Sequence, residues 1–183
     1  HHAKKKGPDT LQFYKESLNS RWLKRFSIEN KLRRALEQEE LTVFYQPKID
    51  IQRQQIVGME ALARWPHTQG AIGPAEFIPI AEETGTIVPI GSWAMLEALT
   101  QLRRWIDEGV CSPAATMSVN VSPRQLSDTN FPAIVSEALT RSGVSPQLLW
   151  LEVTESVMIA EPDLALATLR RLRSLGVRVA LDD

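Results

Sequence analysis

Cysteine and histidine are scarce in this chain of 183 residues, which has one cysteine, Cys111, and three histidines. A single cysteine cannot form an intrachain disulfide or a cysteine-rich zinc site, and it is typical of a reducing compartment. The net charge is only −1 at pH 7, so the chain has no overall basic field. Without such a field we expect no nucleic-acid polymer as a partner.

Long apolar runs are missing as well. No run approaches the roughly 20 residues that span a bilayer. The polar start at residues 1–7 has no apolar core like that of a signal peptide. We therefore expect no membrane segment in this chain and a cytoplasmic location, which leaves open a membrane anchor upstream in a longer parent protein.

The remaining composition is that of an ordinary globular domain with a short appendage, with 43 % hydrophobic and 23 % charged residues. Residues 1–20 are polar. Residues 21–40 have apolar side chains at helical spacing and predict a helix, with Ser27 as its N-cap.

From residue 41 onward, strand-like runs alternate with helix-like segments. The predicted strands are 41–46, ended by Pro47, a hairpin joining 49–51 to 55–57, and runs through Glu60, Asn120, Glu152 and Asp182. The predicted helices are 75–84, a segment from an N-cap at Ser92 to a stop at Gly109, 131–142 and 162–175. This alternation predicts an α/β fold with a parallel sheet, either a (β/α) barrel or a doubly wound sheet.

Four of these strands carry an oxygen-bearing side chain toward their C-terminal ends: Glu60, Asn120, Glu152 and Asp182. Side chains alternate along a strand, which places Glu60 opposite Met59, Ala61 and Ala63, and gives each of the other three a similar facing. Parallel α/β folds place their chemistry at this end of the sheet. Buried carboxylates are rare unless they are paired or hold a cation, so the pattern favours a site for a hard divalent metal. The simpler alternative is a set of hydrogen-bonded core residues, with Arg64 as a neutralising partner or as a contact for an anionic ligand.

Six ordered motifs resemble those of the EAL-type phosphodiesterases of bacterial cyclic di-GMP signal transduction, over residues 41–183. The motifs are Tyr45-Gln46-Pro47, Glu60-Ala61-Leu62-Ala63-Arg64-Trp65, Phe77-Ile78-Pro79-Ile80-Ala81-Glu82, Val119-Asn120-Val121-Ser122, Leu151-Glu152-Val153-Thr154-Glu155 and Leu181-Asp182-Asp183.

The resemblance implies a (β/α) TIM-like barrel of the EAL type and a hydrolase that cleaves cyclic di-GMP to linear pGpG with two Mg²⁺ or Mn²⁺ ions. The metal ligands that it implies are Glu60, Asn120, Glu152, Asp182 and Asp183. It counts Glu60, Asp182 and Asp183 among the catalytic residues, together with Glu155, which would anchor the loop after Asp183. The residues that it implies for substrate binding are Gln46, Leu62 through its backbone, and Arg64.

The later residues of the family pattern, including a lysine, a glutamate and a glutamine, do not occur in this sequence. We therefore expect residues 41–183 to be the N-terminal part, about the first half, of an EAL domain from a longer protein. Residues 1–20 resemble the tail of a GGDEF domain, and residues 21–40 would connect the two. We expect this polypeptide alone to be inactive and poorly stable, because a half barrel leaves an open sheet edge.

Two other functions stay open. A non-catalytic receptor that binds cyclic di-GMP usually lacks metal ligands that are present here, such as Glu60 and Asp182. A barrel enzyme of another metal-dependent class would not explain the motif order. The resemblance also implies a homodimer formed through the parent EAL domain.

Overall fold

A computed structural model describes residues 16–66, 72–154 and 162–182, with side chains from residue 25 onward. The predicted site residues Glu155 and Asp183 lie outside the described residues. The helices are α1 (Glu16–Glu37), α2 (Pro74–Thr84), α3 (Ile87–Asp107), α4 (Pro123–Leu126), α5 (Phe131–Ser142) and α6 (Pro162–Ser174). The strands are β1 (Thr42–Asp50), β2 (Gln55–Arg64), β3 (Thr116–Val121), β4 (Leu149–Thr154) and β5 (Arg178–Asp182).

The five strands form one sheet in the order β1-β2-β3-β4-β5. β1 and β2 form an antiparallel hairpin, and each later strand is parallel to the one before it. Helices connect the parallel strands, as parallel pairing requires. The structure confirms both the predicted hairpin and the predicted parallel sheet.

The prediction that Pro47 ends the first strand is wrong. β1 continues to Asp50, and Pro47 pairs with Met59 of β2. Proline is tolerated here because β1 is an edge strand of the sheet, where one side of the backbone has no ladder to complete. The extension adds Lys48 to the strand, with a register shift directly after it.

Two predicted helix starts are also wrong. α1 begins at Glu16, so Ser27 lies inside the helix, and α3 begins at Ile87 rather than after Ser92. The Ser92 hydroxyl donates to the carbonyl oxygen of Val88, 2.9 Å away, within the same helix. Serine is a common N-cap, but it is equally able to satisfy its hydroxyl on the preceding turn of a helix.

Among the described residues, the buried side chains form two apolar clusters. The larger, the sheet cluster, contains Met117, Val119 and Leu151 from the centre of the sheet and packs them against α3, α5 and α6. The smaller, the α1 cluster, joins Leu32 of α1 to Trp65 and side chains of α2. The apolar positions of each central strand therefore face the helices, which leaves the opposite face of the sheet for polar residues.

In the described part of the chain, no helix combines the length and the apolar character that crossing a bilayer needs.

Candidate active site

The predicted polar residues lie on the face of the sheet opposite the sheet cluster. Glu60 pairs with Ser118 across β2 and β3, and Asn120 pairs with Glu152 across β3 and β4. Paired residues of neighbouring strands share a face, and so do residues two apart on one strand. The register therefore places Glu60, Asn120 and Glu152 together on one side of the sheet.

Glu60 and Asn120 contact each other directly. The Asn120 side-chain nitrogen donates to Glu60 Oε1, 2.8 Å away. This orientation turns the amide oxygen of Asn120 away from the donated bond, and the second carboxylate oxygen of Glu60 makes no hydrogen bond within the described residues. One oxygen atom of each side chain therefore makes no hydrogen bond within the described residues.

Glu152 contacts a residue that the sequence reasoning did not place in the site. The Lys48 Nζ atom donates to Glu152 Oε1 at 2.5 Å and to the Ser118 hydroxyl at 2.7 Å. The sequence contains the information needed to find this contact, because Lys48 is two residues from Gln46 and so shares its face of β1. The predicted strand ends at Pro47, however, and so excludes Lys48 from the sheet. Arg64, the expected neutralising residue, makes no ion pair with these carboxylates in the described part of the chain.

Asp182 is one strand further along the same face. It ends β5 and pairs with Thr154, while Ala180, two residues earlier, pairs with Glu152. The side chain of Asp182 is exposed. The structure therefore brings Asp182 to the same edge as Glu152, two residues nearer the C-terminal ends of the strands.

The C-terminal ends of β2 and β3 open into a cleft of about 450 Å³ between the sheet and α2, α3 and α4. Leu62, Arg64, Asn120 and Glu152 line it. The Arg64 guanidinium donates to the carbonyl oxygen of Ala63 at 3.0 Å. Gln46 is exposed and pairs with Glu60 across the hairpin. The three predicted substrate-binding residues thus lie on or next to the two strands that carry Glu60 and Asn120.

A short helix fixes the backbone directly after Asn120. The Ser122 hydroxyl caps α4 by accepting from the Gln125 backbone N–H, and the Gln125 side-chain oxygen accepts from the Ser122 backbone N–H, which completes a capping box. Gln125 is buried against Gly91 of α3, where an added Cβ would lie 2.3 Å from its side-chain nitrogen. This reciprocal contact holds the end of β3 and therefore the position of Asn120.

A second contact joins α4 to the end of α2. Arg124 donates to the carbonyl oxygens of Glu82 and Glu83 at 2.9 Å and 3.3 Å. Its guanidinium also lies beside Gly85, whose φ of 85° ends α2 in the left-handed conformation. The Glu82 carboxyl lines the cleft, and burial raises its pKa. The sequence motif contained Glu82, but nothing in its spacing indicated a partly buried carboxyl.

The donor chemistry of the site fits a hard divalent cation. Carboxylate and amide oxygens are the ligands that Mg²⁺ and Mn²⁺ prefer. Within residues 16–66, 72–154 and 162–182, no three histidine, cysteine or acidic side chains form a ready metal cluster. The oxygens of Glu60, Asn120 and Glu152 nevertheless come from adjacent strands, with Lys48 holding one oxygen of Glu152.

Oxygen-bearing side chains at the C-terminal ends of parallel strands are typical of the active sites of α/β enzymes. The sequence profile of the EAL domain matches residues 29–183. The chain therefore belongs to the EAL domain family.

Relatives with curated descriptions agree with this assignment. The bifunctional diguanylate cyclase/cyclic di-GMP phosphodiesterase MucR of Pseudomonas aeruginosa is 38 % identical over 184 residues, which cover 100 % of this chain and 27 % of MucR. The cyclic di-GMP phosphodiesterase PdeR of Escherichia coli is 35 % identical over 182 residues, which cover 99 % of this chain and 27 % of PdeR. The chain thus spans about a quarter of the length of these relatives.

A solved structure shows the same fold. The cyclic di-GMP complex of the MucR phosphodiesterase superposes with a TM-score of 0.80 at 40 % identity, over 86 % of this chain and 63 % of that chain. The comparison confirms the predicted fold class: the chain contains part of the TIM-barrel-like α/β fold of EAL domains.

Proposed function

We propose that the protein to which this chain belongs hydrolyses cyclic di-GMP to linear pGpG in bacterial second-messenger signalling. The observation that carries the proposal is the Glu60–Asn120 pair beside Glu152, at the strand ends that open into the cleft. The family and the named activities of MucR and PdeR support the same reaction.

The acidic and amide side chains of the site would bind the metal ions. Glu60, Asn120, Glu152 and Asp182 would hold a first divalent ion, and Asp182 with Asp183 would hold a second. Mg²⁺ or Mn²⁺ ions bound there would supply an activated water and neutralise charge on the phosphoryl oxygens. The chain's own contribution is orientation, because the bond from Asn120 to Glu60 fixes both side chains before a ligand arrives.

Substrate positioning falls to the neighbouring residues of β1 and β2. Arg64 has no acidic partner within the described residues and lines the cleft, so its guanidinium is free to pair with a phosphate of cyclic di-GMP. The Leu62 backbone and Gln46 would contact the same ligand. Glu155 would position the segment after Asp183.

The wider organisation is proposed on the same basis. We propose that residues 1–20 are the tail of a GGDEF domain, that residues 21–40, most of which lie in α1, connect the two domains, and that residues 41–183 are the N-terminal part of the EAL domain. The parent protein would act in the cytoplasm, with its EAL domain forming a homodimer.

The test is the parent protein with Glu60→Gln, assayed for pGpG release in the presence of Mn²⁺. The substitution keeps size but removes a charged ligand, so we expect the rate to fall by at least about 100-fold, the usual effect of losing one electrostatic stabilising group. The matched control is Glu137→Gln, which removes an exposed carboxylate from α5 and should leave the rate unchanged.

Hydrolysis by the unmodified parent protein is the decisive measurement. If the parent binds cyclic di-GMP with and without Mn²⁺ but releases no pGpG, the protein is a receptor and the proposed reaction is wrong.

A further inference from the structure

Lys48 occupies an unusual place beneath the candidate active site. It lies on β1, pairs with Gly58 and therefore faces the same side of the sheet as Gln46 and Glu60. Its side chain crosses β2 and reaches Glu152, 104 positions later in the sequence, and Ser118 on the strand between. Two hydrogen bonds hold the Lys48 ammonium group, one to a residue of β3 and one to a residue of β4.

Lys48 lies on the face of the sheet that carries the acidic residues of the candidate site. Glu60, Glu152 and Asp182 put three carboxylates on one face of the sheet. In the part of the chain that the structure describes, Lys48 is the cation that forms an ion pair with one of them. The Glu152 side chain is only 12 % exposed, so its charge needs a partner when no metal is bound.

We propose that Lys48 is an internal counter-ion of Glu152 that competes with the divalent metal and sets the metal affinity of the site. This inference rests on the proposed function, because it takes Glu152 as a metal ligand. In the unloaded protein, the ammonium group neutralises Glu152 and holds Oε1. A cation arriving at Glu152 meets the repulsion of this fixed positive charge, which lowers its affinity.

Removing the charge should therefore tighten metal binding. In the parent protein with Lys48→Met, we expect the Kd for Mn²⁺, measured by titration calorimetry at fixed pH, to fall on the order of tenfold. This size takes account of screening, since the Lys48 side chain is 41 % exposed. The same variant should unfold at a lower temperature without metal, because Glu152 loses its partner, and should gain more from Mn²⁺ than the unmodified protein does.

Three further variants separate the charge from other effects. Lys48→Gln keeps a donor toward Glu152 without the charge, so it should also bind Mn²⁺ more tightly, and it covers the case in which the methionine variant does not fold. Lys48→Arg keeps the charge and should bind Mn²⁺ about as the unmodified protein does. Arg53→Gln removes a positive charge from the 76 % exposed Arg53 side chain next to the same hairpin, and should leave the Kd unchanged.

An unchanged or weaker Mn²⁺ affinity in the glutamine variant would overturn the counter-ion role. So would an equal gain in Arg53→Gln, which would make the effect one of net charge. These measurements do not use hydrolysis. If the parent binds Mn²⁺ yet releases no pGpG, the proposed reaction fails while the affinity ratio still judges Lys48; if no variant binds Mn²⁺, both proposals fail.

Discussion

Glu60, Asn120 and Glu152 each use one side-chain atom to contact a neighbouring side chain, and each has an oxygen outside that contact. The Asn120 side-chain nitrogen donates to Glu60, and Glu152 accepts a hydrogen bond from Lys48 on one of its two carboxylate oxygens. A metal ligand that is already oriented by a second residue binds more tightly than a freely rotating one. In the proposed metal site, the bond between Asn120 and Glu60 would orient two ligands, whereas the positive charge of Lys48 beside Glu152 would oppose the metal.

Tyr45 shows how strongly a partly buried position on β1 changes a titration. Burial, and to a lesser degree the charge of Glu97, raises the pKa of Tyr45 from 10.0 to about 12. Its ring packs edge-on against Trp105, with centroids 4.8 Å apart. We predict that the phenolate absorbance contains a component titrating near pH 12, which Tyr45→Phe removes.

The raised pKa of Tyr45 also makes the stability of the folded protein depend on pH. Because the folded-state pKa lies above the unfolded value, the folded protein keeps a proton that the unfolded chain loses. The contribution of Tyr45 is complete below pH 10 and is lost as the pH rises through about 12. Tyr45→Phe should therefore lose less stability than the unmodified protein over this range in denaturant titrations; a Tyr45 component near pH 10 would contradict the burial argument.

The contacts between strands depend on close backbone approach at one glycine. Gly58 on β2 faces Thr116 on β3, and a Cβ added at Gly58 would lie 2.8 Å from the Thr116 carbonyl oxygen and 2.3 Å from its hydroxyl. The carbonyl cannot move without disturbing the strand. We predict that Gly58→Ala lowers the free energy of unfolding by roughly 1–3 kcal/mol, measured by chemical denaturation.

Gly73→Ala is the matched control for this prediction. Gly73 precedes α2 with a φ of −69°, and an added Cβ there meets nothing within 4 Å. A methyl group at this position should change stability by well under about 1 kcal/mol. Equal losses in the two variants would show that the contact between Gly58 and Thr116 is not the cause.

The alternation of polar and apolar residues in the sequence predicted the strands and the faces of Glu60, Asn120 and Glu152, because this alternation is a local property of a strand. It could not predict the partner of Glu152, since Lys48 reaches it across two strands whose order is set by the tertiary fold. The error at Pro47 has the same origin: whether proline breaks a strand depends on whether that strand is at an edge. Metal binding and the roles of Gln46, Leu62 and Arg64 stay predictions.

Two apolar clusters hold the described part of the molecule together, and each joins different elements. The sheet cluster contains the buried faces of β2, β3 and β4, which carry the candidate site on their other side. The α1 cluster joins α1 to Trp65 and α2 through Leu32, whose side chain is fully buried. The match to the EAL domain begins at residue 29, inside α1, so this helix belongs in part to the domain that it packs against.

We predict that Leu32→Ala destabilises the α1 cluster first. Truncating a fully buried leucine leaves a cavity and should lower the free energy of unfolding by about 2–5 kcal/mol. In native-state hydrogen exchange, amides of α1 and α2 should exchange faster, while those of β3 and β4 keep their protection because their contacts lie in the sheet cluster.

Leu166→Ala, at a 40 % exposed position of α6, is the control and should have a much smaller effect. Equal acceleration across α1, α2, β3 and β4 would mean that both clusters open as one cooperative unit, so that a change at the connecting helix would reach the active-site strands directly.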